Sequence, residues 1–186
     1  NACWISLSHA AELLPLSTDR PDTTESTHTV DEGHFQFEME IATWTRDGKY
    51  RDFSLGQLNS KIGLDASTDF QVVTPFFTQV RNGEEGFGKL QLRLKRNLWG
   101  NDEGSTSMAV MPFVQLPTSS GDLGCNEVEG GLIVPFAFDG PVGWSFAVMG
   151  ELDLEANQDS DYHLVGLTSA TASHSATEQT AVFLEL

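Results

Sequence analysis

From Gly33 onward the chain alternates with a period of two, and this constrains its fold more than any other property. Residues 89–94 are the cleanest stretch: Leu90, Leu92 and Leu94 oppose Lys89, Gln91 and Arg93, and Lys95 continues the polar row. Successive side chains point to opposite sides only in an extended strand, so the alternation predicts strand rather than helix. Residues 34–45 place Phe35, Phe37, Met39 and Ile41 on one face, with Gln36, Glu38 and Glu40 on the other. Residues 57–64, 70–80, 106–116, 127–138, 144–155, 162–173 and 180–186 read the same way. Gly, Asn, Asp and Pro clusters break them at Gly100-Asn101-Asp102, Ser119-Ser120-Gly121-Asp122, Asp139-Gly140-Pro141 and Asn157-Gln158-Asp159. The expectation is an all-β, antiparallel, up-and-down meander of nine strands.

Strands of 10 to 12 residues exceed the typical 5 or 6 of globular sheets and approach the roughly 9 to 11 that cross a bilayer at a tilt. Alternation alone leaves two settings open. In a soluble sandwich the apolar face meets a second sheet. In a membrane barrel it meets lipid, and the polar face lines the interior. Trp44, Tyr50, Phe53, Phe87 and Tyr162 fall near one set of strand ends, and Phe70, Trp99, Phe138 and Trp144 near the other. Two such bands resemble interfacial girdles.

Charge narrows the field. With 10 Lys+Arg against 27 Asp+Glu, the 186-residue chain carries a net charge of −17. It therefore lacks the basic face that phosphate neutralisation requires, and no nucleic-acid partner is expected. All ten basic residues lie between Arg20 and Arg96, while thirteen acids follow Asn97. No apolar run reaches the roughly 18 residues of a spanning helix. Cys3 and Cys125 form no CxxC pair; one disulfide and two separate thiols both remain open, and Ala2-Cys3 also fits a lipoprotein cleavage remnant.

The polar face holds the candidate functional residues: Glu38, Glu40, Lys61, Arg93, Lys95, Glu127, Glu129, Glu151, Asp153 and Glu155. Enclosed in a barrel, they would make a lumen with a basic wall and acidic walls that holds water and biases polar solutes. A different chemistry is suggested by Glu151, Asp153 and Glu155. The E-x-D-x-E spacing resembles that of laminarinase-like jelly-roll glycosidases, in which alternate strand residues supply nucleophile and acid/base to one cleft. Acids recur easily on a polar strand face in so acidic a chain, and the rest of the sequence does not resemble those enzymes. The histidines lack metal-site spacing and the glycines fit no phosphate loop. No catalytic residue, cofactor or metal is expected.

A family resemblance rests on motifs spread along most of the chain. They are Leu16-Ser17-Thr18-Asp19-Arg20-Pro21-Asp22, Thr24-Glu25-Ser26 and Thr29-Val30-Asp31-Glu32-Gly33-His34-Phe35-Gln36, then Leu98-Trp99-Gly100-Asn101 and Met111-Pro112-Phe113-Val114-Gln115-Leu116-Pro117-Thr118. Val128-Glu129-Gly130-Gly131-Leu132-Ile133-Val134-Pro135, Gly143-Trp144, Glu151 with Asp153, Tyr162-His163, Ser169-Ala170 and Ser173-His174 follow in order. The chain resembles a bacterial outer-membrane transporter family associated with the meta-pathway of phenol degradation. The resemblance implies a transmembrane β-barrel of about twelve strands in a Gram-negative outer membrane, with residues 1–32 an extended N-terminal segment on the periplasmic side and residues 33–186 the barrel strands. It implies a porin-like channel for passive uptake of small solutes, aromatic or hydrophobic compounds among them, with outer-membrane lipid as the other partner. A non-conducting structural barrel, closed by its own side chains or by residues 1–30, is the blander alternative. Nine strands is an odd number, and bacterial single-chain barrels close with an even one. About three further strands are therefore expected to complete the sheet.

Overall fold

A computed structural model describes residues 13–14, 16–19, 23–47, 50–80, 85–102, 104–119, 127–157, 159–177 and 180–186. Cys3 and Cys125 lie outside these residues. Ten strands follow in order: β1 (Phe35–Asp47), β2 (Tyr50–Asp65), β3 (Thr68–Val80), β4 (Glu85–Gly86), β5 (Leu90–Trp99), β6 (Thr106–Leu116), β7 (Glu129–Asp139), β8 (Trp144–Ala156), β9 (Tyr162–Thr177) and β10 (Thr180–Glu185). Nine of them form one sheet in sequential order, every neighbour antiparallel, and the two-residue β4 pairs with β3 alone. The expected meander is present. The second strand starts seven residues earlier than its alternation suggested, because the Tyr50–Gly56 stretch pairs with β1 without a strict apolar period.

Pro75 shows how one residue trims a ladder. It offers no N–H, and the β3–β5 pairing runs no further than Val73 opposite Gln91. Beyond it β4 takes over as the partner of β3, at Thr78 and Gln79.

The sheet is strongly curled, and chain length requires it. Its outermost strands, β1 and β10, stand eight strand spacings apart along the sheet, about 38 Å if it were flat. Yet the backbone N–H of Asp19 donates to Glu38 of β1 at 3.0 Å, and that of Thr24 donates to Glu185 of β10 at 2.7 Å. Asp19 and Thr24 are separated by at most about 18 Å of extended chain. Even with two glutamate side chains reaching inward, the edges must bend toward each other. The product is a half-barrel whose concave side holds the segment that precedes β1.

Register fixes what faces inward. Gln36, Glu38 and Glu40 of β1 lie opposite Lys61, Asn59 and Gln57 of β2. Lys61 and Asn59 continue to Gln71 and Val73 of β3, and Gln71 and Asp69 to Arg93 and Lys95 of β5. The other face carries Phe35, Phe37, Met39, Phe76, Leu94, Leu132, Val148, Leu152 and Leu164, all exposed. At one set of strand ends it also carries an aromatic row, in which Phe146 stacks on Phe138 (5.3 Å between ring centroids) and Trp144 on His174 (4.9 Å). Of the other expected band, Trp44 pairs with Phe53 across β1–β2 and is exposed.

Candidate functional site

The concave face is polar along β1, β2, β3 and β5, and the segment before β1 answers it with carboxylates. Asp19 is fully shielded from solvent, as is Lys95. Its carboxylate takes Lys95 at 2.8 Å and also Lys61, which in turn pairs with Glu38. Two cations therefore share two acids in a site without water-exposed atoms to speak of. Burial alone would raise the Asp19 carboxyl, but Lys95 and Lys61 outweigh it and hold the group well below the usual carboxylate range. One strand position along, Arg93 reaches Glu25 at 2.7 Å and also bonds Gln91.

Hydroxyls and amides complete the lining. Thr24 shares a hydrogen bond with Ser169 at 2.7 Å, and Thr27 with Ser107 at 2.5 Å. Asn97 donates to the Thr27 carbonyl at 2.8 Å, Asn101 accepts from the Thr29 N–H at 3.0 Å, and Asp69 accepts from the Val30 N–H at 3.1 Å. A strand-less segment buried inside a sheet must satisfy its backbone somewhere, and these side chains do that. The chain then leaves the concavity at Gly63. There the Gly33 N–H donates to the Gly63 carbonyl at 2.9 Å and the Gly63 N–H to the His34 carbonyl at 3.0 Å. A Cβ on Gly63 would sit 2.0 Å from the Asp31 carbonyl oxygen, so only glycine admits this crossing.

The ten expected lumen residues divide by what surrounds them. Glu38, Lys61, Arg93 and Lys95 are buried against the inner segment or its clamp. Glu40, half-buried, follows Glu38 toward the far end of β1. Glu129 pairs with Lys89 and accepts from the Ala156 N–H at 3.2 Å. Glu155 stands 3.9 Å from His163, its partner across β8–β9. Glu127 precedes β7 and takes a 2.7 Å hydrogen bond from Ser160, which places it at the rim. Glu151 and Asp153 share the concave face of β8, opposite Ile133 and Gly131.

Two features were absent from the sequence reading. The concave face is not polar throughout: Met111, Ile133 and Met149 form an apolar cluster with Phe113 at the middle of β6, β7 and β8. Extending the two-residue period through β6 and β7 would have found it. Asp19 and Glu25, the counter-charges of the basic wall, sit in a stretch without periodicity, so no pattern pointed at their partners. His28 lies with them; burial and the nearby Lys95 push its imidazole below its ordinary value, with Asp102 and Asp139 pulling the other way.

Comparison with known proteins gives one match. Residues 18–185 match the family described as "Putative MetA-pathway of phenol degradation". No curated protein matches, and no solved structure does.

Proposed function

The chain belongs to this phenol-degradation family, and from that premise we propose that it is an outer-membrane β-barrel, a porin-like channel for passive uptake of small solutes, aromatic or hydrophobic ones among them, with no catalytic role. The observation that carries the reading is the inversion of polarity between the two faces. Large apolar side chains are exposed on the outer face from β1 to β10, while Lys61, Gln71, Arg93 and Lys95 are buried within. An apolar surface of that extent is far beyond what a monomer in water exposes, and lipid is the solvent that fits it.

Connection lengths support an orientation. The links after β2, β5, β7 and β9, of two to six residues, share one end, which the inner segment also uses to enter β1. At the opposite end the links from β3 to β5 and from β6 to β7 run to 9 and 12 residues, while those after β1 and β8 run to 2 and 5. Outer-membrane barrels pair short periplasmic turns with longer external loops, so the inner segment stands on the periplasmic side. The aromatic row of Phe138, Phe146 and Trp144 then marks the inner lipid interface.

Gel mobility of the complete, detergent-folded protein, unboiled against boiled, tests the barrel, and planar-bilayer conductance tests the channel. A faster unboiled band with discrete conductance steps is the expected result. Equal mobility with good solubility in plain buffer would remove the membrane reading. A second reading is favoured by the filled concavity: a structural barrel closed by residues 16–31. A heat-modifiable barrel with no conductance would decide for it. Hydrolysis of β-glucans that is lost on Glu151→Gln would instead restore the glycosidase alternative.

A further inference from the structure

Between the inner segment and the wall formed by β7 to β10 lies a recess of about 320 Å³, open on the side where Ser145 and Phe183 are exposed. An apolar protein cavity of roughly half that size takes one benzene, so this one has room for a substituted single ring and little more. Its barrel wall is built from small residues. Ala137 and Ala147 face each other across β7–β8, and Ser145 and Ser173 across β8–β9, with Phe183 of β10 next to Ser173. The small side chains leave the recess, and the phenyl ring gives it one flat apolar surface. On the opposite side the segment contributes Thr24, Thr27 and His28.

The polar groups here differ in kind from the clamp beside them. Glu25, the one carboxylate among the described lining residues, is already engaged by Arg93 at 2.7 Å. Burial and the nearby Lys95 push the His28 imidazole toward its uncharged form. Thr24 and Thr27 spend their hydroxyls on Ser169 and Ser107. The hydroxyls of Ser145 and Ser173 make no hydrogen bond to any other described residue, and they sit as a cross-strand pair facing the cavity. Among the described residues a charged solute would meet no unengaged complementary charge, whereas a ring carrying a hydroxyl would find apolar walls for the ring and two hydroxyl partners for its own.

We propose that this cavity is a binding station for an uncharged, single-ring, hydroxyl-bearing solute, seated between Ala137, Ala147 and Phe183 with its hydroxyl on Ser145 and Ser173. The station deepens the transporter reading, on which its place along a solute path rests; binding itself is measurable apart from transport. Because half the lining comes from the inner segment, a bound solute touches both the wall and the element that fills the concavity.

The test uses the complete, detergent-folded protein with p-cresol, toluene and benzoate as probes, followed by calorimetry. Binding of p-cresol at least tenfold tighter than of either other probe is expected. Ala147→Phe should abolish it by filling the recess. Ser145→Ala with Ser173→Ala, which keeps the shape, should weaken p-cresol about tenfold and leave toluene unchanged. Unboiled gel mobility checks that each variant still folds. Equal affinity for all three probes, or p-cresol binding undiminished in Ala147→Phe, would overturn the station. Conductance is measured in parallel. A protein that conducts but does not bind p-cresol loses the station alone; one that binds p-cresol but never conducts keeps the station and loses the channel.

Discussion

The Asp19 carboxylate and the Lys95 ammonium, 76 residues apart in sequence, meet at 2.8 Å with both side chains closed off from solvent. Lys61 joins the same carboxylate from the other side. The inner segment is thus pinned near its start by one acid between two cations.

Asp19→Asn should release that pin. It leaves Lys61 with Glu38 alone and Lys95 buried without its counter-charge, a loss on the order of 3–5 kcal/mol for a buried pair broken from one side. The expected outcome is faster amide exchange at Thr29 and Val30, whose N–H groups bond Asn101 and Asp69 only while the segment is seated. In a bilayer, conductance should rise. Unchanged exchange at those amides would mean that the hydroxyl contacts hold the segment without the clamp.

Seating should also depend on pH, through two groups that act in different windows. Both are depressed in the folded state, so the released segment takes up protons more readily and stability is lost as pH falls. For His28 the loss begins as pH falls below about 6.5, its value when released. For Asp19 nothing changes until pH drops below about 3.9, and the loss then continues to still lower pH. Exchange protection of the segment measured from pH 8 to pH 5 should decline, and His28→Gln should flatten the decline. A flat profile in the unmodified protein would contradict the placement of His28.

Gly63→Val tests the exit from the concavity. The added side chain meets the carbonyl oxygens of Asp31 and Val30 at 2.0 and 2.4 Å from its first carbon, both backbone atoms. The segment must lift off, so the Gly33 and Gly63 amides should lose protection while the β2–β3 ladder stays intact. Protection preserved at Gly33 would show that the backbone can shift to absorb the valine.

Val148→Arg tests the outer face. Val148 is exposed and lies part-way along β8, opposite Phe136 and Ala170. On a lipid-facing strand an arginine near the midplane costs about 2–4 kcal/mol, against about 0.5 kcal/mol or less on a wetted surface. Urea titration of the lipid-folded protein distinguishes the two, and a loss at the smaller figure would place this face in water.

Much of this architecture is written in local pattern, and some of it cannot be. The leucines at 90, 92 and 94 announce β5 and its two faces because a strand's side-chain period is a property of the strand itself. The same period put Lys61, Arg93 and Lys95 on one side, and the register through Gln71 and Asp69 keeps them in step. It could not assign their partners. Asp19 reaches them from a stretch whose conformation is dictated by what it touches, and its contacts are tertiary. The cavity was equally invisible, since alanines and serines at 137, 145, 147 and 173 matter only for being small in the same place.

Glu185 accepts two backbone N–H groups, from Thr23 at 2.9 Å and Thr24 at 2.7 Å, across more than 160 residues of chain. The tenth strand therefore has to arrive before the beginning of the chain can settle. Closing so long a loop is slow, and it comes after the local hairpins have formed. Synthesis order and assembly order run in opposite directions here: the residues made early are the last to find their place. A sheet that had paired its hairpins in the wrong register would present no carboxylate at that point, so the docking of Thr23 and Thr24 serves as an inspection of the wall as far as β10.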